Sequence, residues 1–180
     1  MKAILISIKP KYVADILNGN KTLEIRKTMP KCDLPIEVYI YCTRDKVGLY
    51  DNHNHITSAS DKYFLDRLGY DKPPLLNGKV VTKFTLNKVQ PIYQIPLNKL
   101  LKDSCLNAKE LNEYTNGVGH DLIYAWHIDN LVIFDKPKEL SEFKSYKKNI
   151  VNTKINGMVF ETELDNSLIK APQSWCYVEI

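Results

Sequence analysis

The chain lacks most of what would staple it covalently or hold it in a membrane. Its 180 residues include only four cysteines, Cys32, Cys42, Cys105 and Cys176. No two of them stand at Cys-x-x-Cys spacing, which argues against a zinc site, and four are too few for a disulfide framework. The apolar run Ala3 to Ile8 is too short for the core of a signal peptide, and no run approaches the length of a membrane span. These absences make a cytoplasmic protein with reduced thiols the expectation, with no membrane partner. Internal repeats, low-complexity segments and long runs of one charge are missing as well. Lys+Arg 25 against Asp+Glu 21 leaves +4, a mildly basic balance that suits a polyanionic partner without requiring one. At this length a single domain over residues 1–180, with a core of its own, is expected.

Strand character dominates. Ala3 to Ile8 is isoleucine-rich and reads as a strand buried on both faces. In Ile36 to Thr43, Val38, Ile40 and Cys42 alternate with Glu37, Tyr39 and Tyr41, after a turn at Asp33-Leu34-Pro35. Lys79 to Val89 is strand-like and is stopped by Pro91 and Pro96. Leu122 to Phe134 reads as a strand bent near Asp129-Asn130, and Ser174 to Ile180 as a terminal strand. Asp135-Lys136-Pro137 is a turn, and Leu140 and Phe143 belong to a short docked turn or helix.

Helices are few. Asn107-Ala-Lys-Glu110 is a capping box, with Leu106 and Leu111 as its hydrophobic staple and Asn116-Gly117 as its stop. Asp45 to Gly78 reads as an insert, irregular at first; Ser60 caps a short helix carrying Phe64, Leu65 and Leu68, and Lys72-Pro73-Pro74 breaks the chain. Asn149 to Leu168 has no clear pattern beyond a possible strand at Met158 to Phe160. Strands that do not alternate with long helices argue against a doubly wound sheet.

The most informative stretch is Lys9 to Lys27. Pro10 suits the first helical position. Val13, Ile16 and Leu17 form one apolar stripe, and Gly19 can end the helix in the left-handed conformation. From Thr22 the period becomes two: Leu23 and Ile25 face one way, Thr22, Glu24 and Arg26 the other, entered through Lys21. Alternation of this kind marks any half-buried strand, but an acid, a guanidinium and a lysine on one face can also build a polar pocket.

Gly19-Asn20-Lys21-Thr22-Leu23-Glu24-Ile25-Arg26 resembles the G-x-K-x-x-E-x-R signature of the ASCH domain, a PUA-like β-barrel family. The preceding helix ending Ile-Leu-x-Gly, the first strand, the Trp126 segment and Gln173-Ser174-Trp175 are similar to the family pattern too. The resemblance implies an α+β fold: a small, mixed PUA-like β-barrel with short helices packed on it, the insert at about 45–78 lying outside it. It also implies a link to RNA and modified nucleobases. On the residues themselves, Arg26 offers a planar fork of donors, Lys21 a point charge and Glu24 an acceptor for an exocyclic amine, a set suited to an anion plus a base edge. Gln173 and Ser174 are further pocket donors, and Trp175 either packs in the core or stacks on a base, as does Trp126.

One branch of the family resembles amidohydrolases that deacylate acylated cytidine, where a lysine acts with a threonine and a distant glutamate assists. That branch has threonine where this chain has Glu24; here Thr22 directly follows the lysine. Catalysis would fall to Lys21, Thr22 and Glu24. A lysine base at neutral pH must drop roughly 3 units from ~10.4, costing on the order of 4 kcal/mol; Arg26 would assist and Glu24 would oppose. Binding therefore ranks above catalysis.

Other motifs carry less. His53-Asn54-His55 beside Asp51 lacks ligands for a metal and reads as a polar loop. Gly117-Val118-Gly119-His120 reads as a turn rather than a phosphate loop. His127 reads as a satisfied core or surface histidine. Tyr39, Tyr41, Lys27, Lys31 and Arg44 form either a basic, aromatic surface around the signature strand or ordinary cross-strand packing with solvated charges. The expectation is an RNA- or nucleotide-binding cleft floored by Lys21, Glu24 and Arg26, with no metal and no cofactor; Arg26→Ala and Lys21→Ala should weaken binding with the fold intact. The competing readings are the amidohydrolase on an acylated nucleobase or nucleoside, and a protein-interaction module carried by the 45–78 insert. Nothing in the pattern sets the oligomeric state.

Overall fold

Burial of the isoleucine-rich run on both faces organises the molecule. In the computed structural model, which describes residues 1–52, 55–60, 75–116, 122–147, 150–155 and 158–180, this run is β1 (Lys2–Ile8). It pairs in parallel with β3 (Ile36–Cys42) and antiparallel with the last strand, β13 (Trp175–Glu179). Ile4, Ile6 and Ile8 face one core cluster and Ala3 and Leu5 another, so the strand separates two apolar layers. The sheet continues through β6 (Val80–Leu86) to β9 (Asp129–Lys138) on one side. On the other, the two-residue β10 (Lys144–Ser145) pairs with β13, giving the order β10-β13-β1-β3-β6-β9.

α1 (Pro10–Leu17) lays Val13, Ile16 and Leu17 on the first cluster, as its periodicity requires. It ends at Gly19, whose φ of +75° is a conformation that costs glycine little. The chain then enters β2 (Leu23–Arg26), which pairs antiparallel with β8 (Tyr124–His127); β8 also pairs with β7 (Val89–Pro91). Leu23 and Ile25 join a third apolar cluster with two helices, α2 (Leu97–Ser104) and α3 (Ala108–Thr115). The capping box at Asn107 and Glu110 forms in both directions, and Leu111 is buried beside half-buried Leu106. α2 departs from the expectation that Pro96 only stops a strand: Pro96 precedes the first helical residue, and Leu97, Leu100 and Leu101 recur at helical spacing.

The architecture is mixed α+β, but the expected closed barrel is not what these pairings make. Among the described residues the six-stranded sheet is open, and β2, β8 and β7 form a separate three-stranded sheet. Ile128 alone separates β8 from β9, and the backbone is left-handed at Asn130, the second residue of β9, where φ is +49°, at the expected bend. β8 and β9 are consecutive in the chain but pair into different sheets.

Two hairpins correct the irregular readings. β4 (Val47–Asn52) and β5 (His55–Ser60) pair within the 45–78 segment. Two asparagines pin this hairpin by imitating strand backbone. Asn18 Nδ2 donates to the Ile56 carbonyl (2.8 Å) and its Oδ1 accepts from the Ile56 amide. Asn77 does the same for Leu49 and Val47. β11 (Ile150–Ile155) and β12 (Met158–Glu163) form a second hairpin, so the strand expected at Met158 to Phe160 has a partner before it. Tyr39 and Tyr41 are buried with Phe143 on the core side, not displayed around the signature strand. The helix expected after Ser60, the Lys72-Pro73-Pro74 break, most of His53-Asn54-His55 and all of Gly117 to His120 lie outside the described residues. Among those described, no helix is long and apolar enough to cross a membrane.

Candidate functional site

β2 is four residues long and buried throughout, which is unusual for a strand reading Leu-Glu-Ile-Arg. The burial is tolerated because the charges satisfy one another. Glu24 Oε1 lies 2.9 Å from Arg26 Nη2, and its Oε2 3.2 Å from Lys21 Nζ. A buried carboxylate between two cations meets the rule that interior charges be paired and hydrogen-bonded.

Each cation is also tied to backbone far away in sequence. Lys21 Nζ donates to the carbonyls of Leu23 and Ser104, both at 2.8 Å. With Glu24, that occupies all three ammonium donors. Arg26 Nη2 donates to the Ser7 carbonyl (2.8 Å) and Nη1 to the Ser174 hydroxyl (3.1 Å), while its buried Nε has no partner among the described residues. Ser7 in turn donates from its amide to the Ser174 carbonyl (2.9 Å) and from its hydroxyl to the Pro172 carbonyl (2.6 Å). The guanidinium thus fastens the three-stranded sheet to β1 and the start of β13.

Above the triad opens a cleft of about 690 Å³. Lys21, Glu24 and Arg26 line its floor. One wall is the start of α1 and the chain after β3, bringing Lys9, Tyr12, Thr43, Arg44 and Asp45. A second wall is α3, bringing Glu110, Glu113 and Tyr114. Lys9 and Arg44 are exposed and have no ion-pair partner among the described residues. The Arg44 side chain lies against Gly78, where φ is +81° and an added Cβ would meet Arg44 Nε at 3.0 Å. Lys11 Nζ reaches Glu110 at 2.7 Å and joins the two walls. That bond, with the Asn107 amide, holds the Glu110 carboxyl below its ordinary range. Burial pushes the phenols of Tyr12 and Tyr114 up, so both remain hydroxyl donors at neutral pH.

The other candidates are divided. Gln173 lines the cleft and is exposed. Ser174 reaches the site through Arg26. Trp175 is half-buried outside the lining; its Nε1 donates to Thr28 Oγ1 (2.9 Å), and its ring meets Trp126 edge-on at 5.5 Å. Trp126 is fully buried in the core. Thr22 is exposed, is absent from the cleft lining, and gives its amide to the Asp103 carbonyl (2.8 Å). His127 is half-buried against Gln90 Oε1 at 3.1 Å. Among the described residues no group of three or more His, Cys, Asp or Glu is placed to hold a metal ion.

Sequence reading missed Tyr12, Lys9 and the α3 wall. A signal existed for Tyr12, an aromatic residue off the apolar stripe of α1 and inside the signature stretch. None existed for Tyr114, because its position depends on how α3 packs about 90 residues along the chain from β2.

No family model and no curated protein sequence matches the chain. Solved structures do. A serine-to-alanine variant of ZmASCH from Zymomonas mobilis aligns with a TM-score of 0.58 at 15% identity, covering 98% of this chain and 88% of that one. A tyrosine-to-phenylalanine variant of the same protein aligns at 0.52 and 16% identity, covering 78% and 77%. Identity this low speaks to the fold alone, and on it the chain has the fold of an ASCH domain.

Proposed function

We propose that the cleft binds RNA or a nucleotide-like ligand, phosphate toward Lys9 and Arg44 and base toward Tyr114 and Glu113. The observation that carries this reading is the make-up of the lining: Lys9 and Arg44, cations with no ion-pair partner among the described residues, share one cleft with the rings of Tyr12 and Tyr114 and the carboxylate of Glu113. Cations beside aromatic rings suit a phosphate with its base, since every base offers a π face for stacking. Glu113 offers an acceptor to an amino-bearing base.

The same geometry favours binding over the amidohydrolase. A lysine acting as base must present a lone pair, yet all three Lys21 donors point at acceptors. Thr22, the hydroxyl such chemistry would use, is exposed and is not part of the cleft lining. Lys21, Glu24 and Arg26 act as the floor that fixes the cleft's shape and supplies a net positive charge beneath the ligand; Gln173 and Ser174 adjoin it.

Titration calorimetry with cytidine 5′-monophosphate on the parent, Arg44→Ala and Tyr114→Ala tests this. The two variants should each bind several-fold more weakly, and exposed Arg44→Ala should keep the parent's melting temperature, while Tyr114→Ala also loses ring packing. A parent that binds no nucleotide or RNA at low salt, or variants equal to the parent, would overturn it.

A further inference from the structure

A second cationic and aromatic feature begins at the edge of the cleft and leads away from it. Lys27 follows β2 and carries its Nζ 5.2 Å from the ring centre of Tyr114. The next residue, Thr28, accepts from Trp175 Nε1, and the amide of Lys31 donates to the Tyr177 hydroxyl (2.7 Å). Trp175 and Tyr177 stand on the same face of β13 and meet edge-on at 5.4 Å. Lys2 Nζ then lies 4.0 Å from the ring centre of Tyr177 and 4.9 Å from that of Tyr146, an exposed ring 6.4 Å from Tyr177. Contacts therefore run without a break from Tyr114 in the cleft to Tyr146 at the far edge of the sheet.

Lys2, Lys27 and Lys31 have no ion-pair partner among the described residues. The acid on this face, Glu179, lies in register between Lys2 and Lys144. From Ser174 to Glu179 the strand extends about 17 Å at ~3.3 Å per residue, several times the reach of one phosphate.

We propose that the cleft is the first position of a track for single-stranded RNA, which leaves past Tyr114 and Lys27 and follows β13 to Lys2 and Tyr146. The proposal rests on the nucleotide reading of the cleft and narrows its ligand from a mononucleotide to an oligonucleotide. Lys27, Lys31 and Lys2 contact successive phosphates, and Tyr146 stacks a base. Interleaved cations and aromatic rings, with the Tyr146 ring exposed at the far end, favour a flexible single strand; a rigid duplex would offer no unstacked base to Tyr146.

The experiment measures affinity for cytidine 5′-monophosphate and for oligocytidylates from dimer to octamer, on the parent, Lys2→Ala, Lys31→Ala and Tyr146→Ala. Affinity should climb with length in the parent. Tyr146→Ala should lose about tenfold on the octamer, within the range of one base-on-ring stack. Lys2→Ala and Lys31→Ala should each shallow the octamer's log–log salt slope by about 0.7. Mononucleotide binding should be equal in all four proteins; exposed Lys31→Ala should melt with the parent, and Lys2→Ala and Tyr146→Ala, which lose ring contacts, within about 4 °C of it. A parent that binds mononucleotide but gains nothing from length would overturn the track and leave the cleft standing. So would variants that bind the octamer like the parent. Loss of both mononucleotide and octamer binding in the parent would overturn the track together with the cleft.

Discussion

Substituting Arg26 by alanine takes one of two cations from a buried carboxylate and removes the donors that serve the Ser7 carbonyl and the Ser174 hydroxyl. Glu24 then relies on Lys21 alone, at 3.2 Å, in a position 7% exposed. Removing one partner of a buried pair costs about 3–5 kcal/mol, because the other charge stays buried. The neglected carbonyl adds to that, while water entering the emptied space recovers part of it, so a net loss of about 4 kcal/mol is reasonable against a total of roughly 5–15 kcal/mol. In a chain of this size each kcal/mol lowers the melting temperature by about 2–4 °C, so the drop should be roughly 12 °C. The assay is thermal unfolding followed by circular dichroism, with exposed Arg44→Ala as the control, which should stay within about 0.5 kcal/mol of the parent. If Arg26→Ala melts within ~3 °C of the parent, the triad is not the structural tie described here. The expected outcome also changes the use of this variant: weaker ligand binding in Arg26→Ala would reflect a loosened cleft as much as a missing contact, and the test of binding belongs on Arg44.

Three further outcomes follow from particular contacts. Asn77→Ala leaves the buried Leu49 amide without an acceptor, so it should cost about 1–3 kcal/mol and speed amide exchange at Leu49 in hydrogen-exchange measurements. Burial pushes the Cys42 thiol up to about 12, with Asp45 adding to it; at pH 8 Cys42 should resist iodoacetamide until the protein is unfolded, as peptide mapping would show. Burial, helped by Lys88, holds His127 below the ordinary imidazole range. The unfolded chain then takes up the proton more readily, so stability is full above pH ~6.5 and falls as pH drops below it. In melts from pH 7.5 down to 5, His127→Gln should show a flatter decline than the parent.

Local pattern carried the reading where a segment's structure depends on its own residues. The stripe of α1, the stop at Gly19, the alternation of β2 and the capping box of α3 are short-range devices, and each is formed. The bend at the start of β9 was legible because Asp129-Asn130 interrupts a largely apolar run, and Asn130 tolerates a positive φ. What escaped depends on distant partners. The Lys21 ammonium is completed by Ser104, 83 residues away, in a helix that Pro96 disguised. Arg26 is completed by Ser174, 148 residues away. From alternation alone β2 read as a half-buried strand with a solvated outer face; that face is in fact a buried ion network lining the cleft. Strand order was equally hidden, since nothing local says that β8 and β9 join different sheets, and the expectation of a closed barrel failed there.

The central claim is that a phosphate-bearing ligand enters the cleft and meets Arg44. Its most direct test is the salt dependence of binding to a short single-stranded RNA, compared between the parent and Arg44→Ala. The parent should lose affinity as salt rises, by about 0.7 in log–log slope for each phosphate neutralised, and the variant's slope should be shallower by about that one unit of contact. A parent that fails to bind at low salt, or a variant whose slope matches the parent's, would contradict the account.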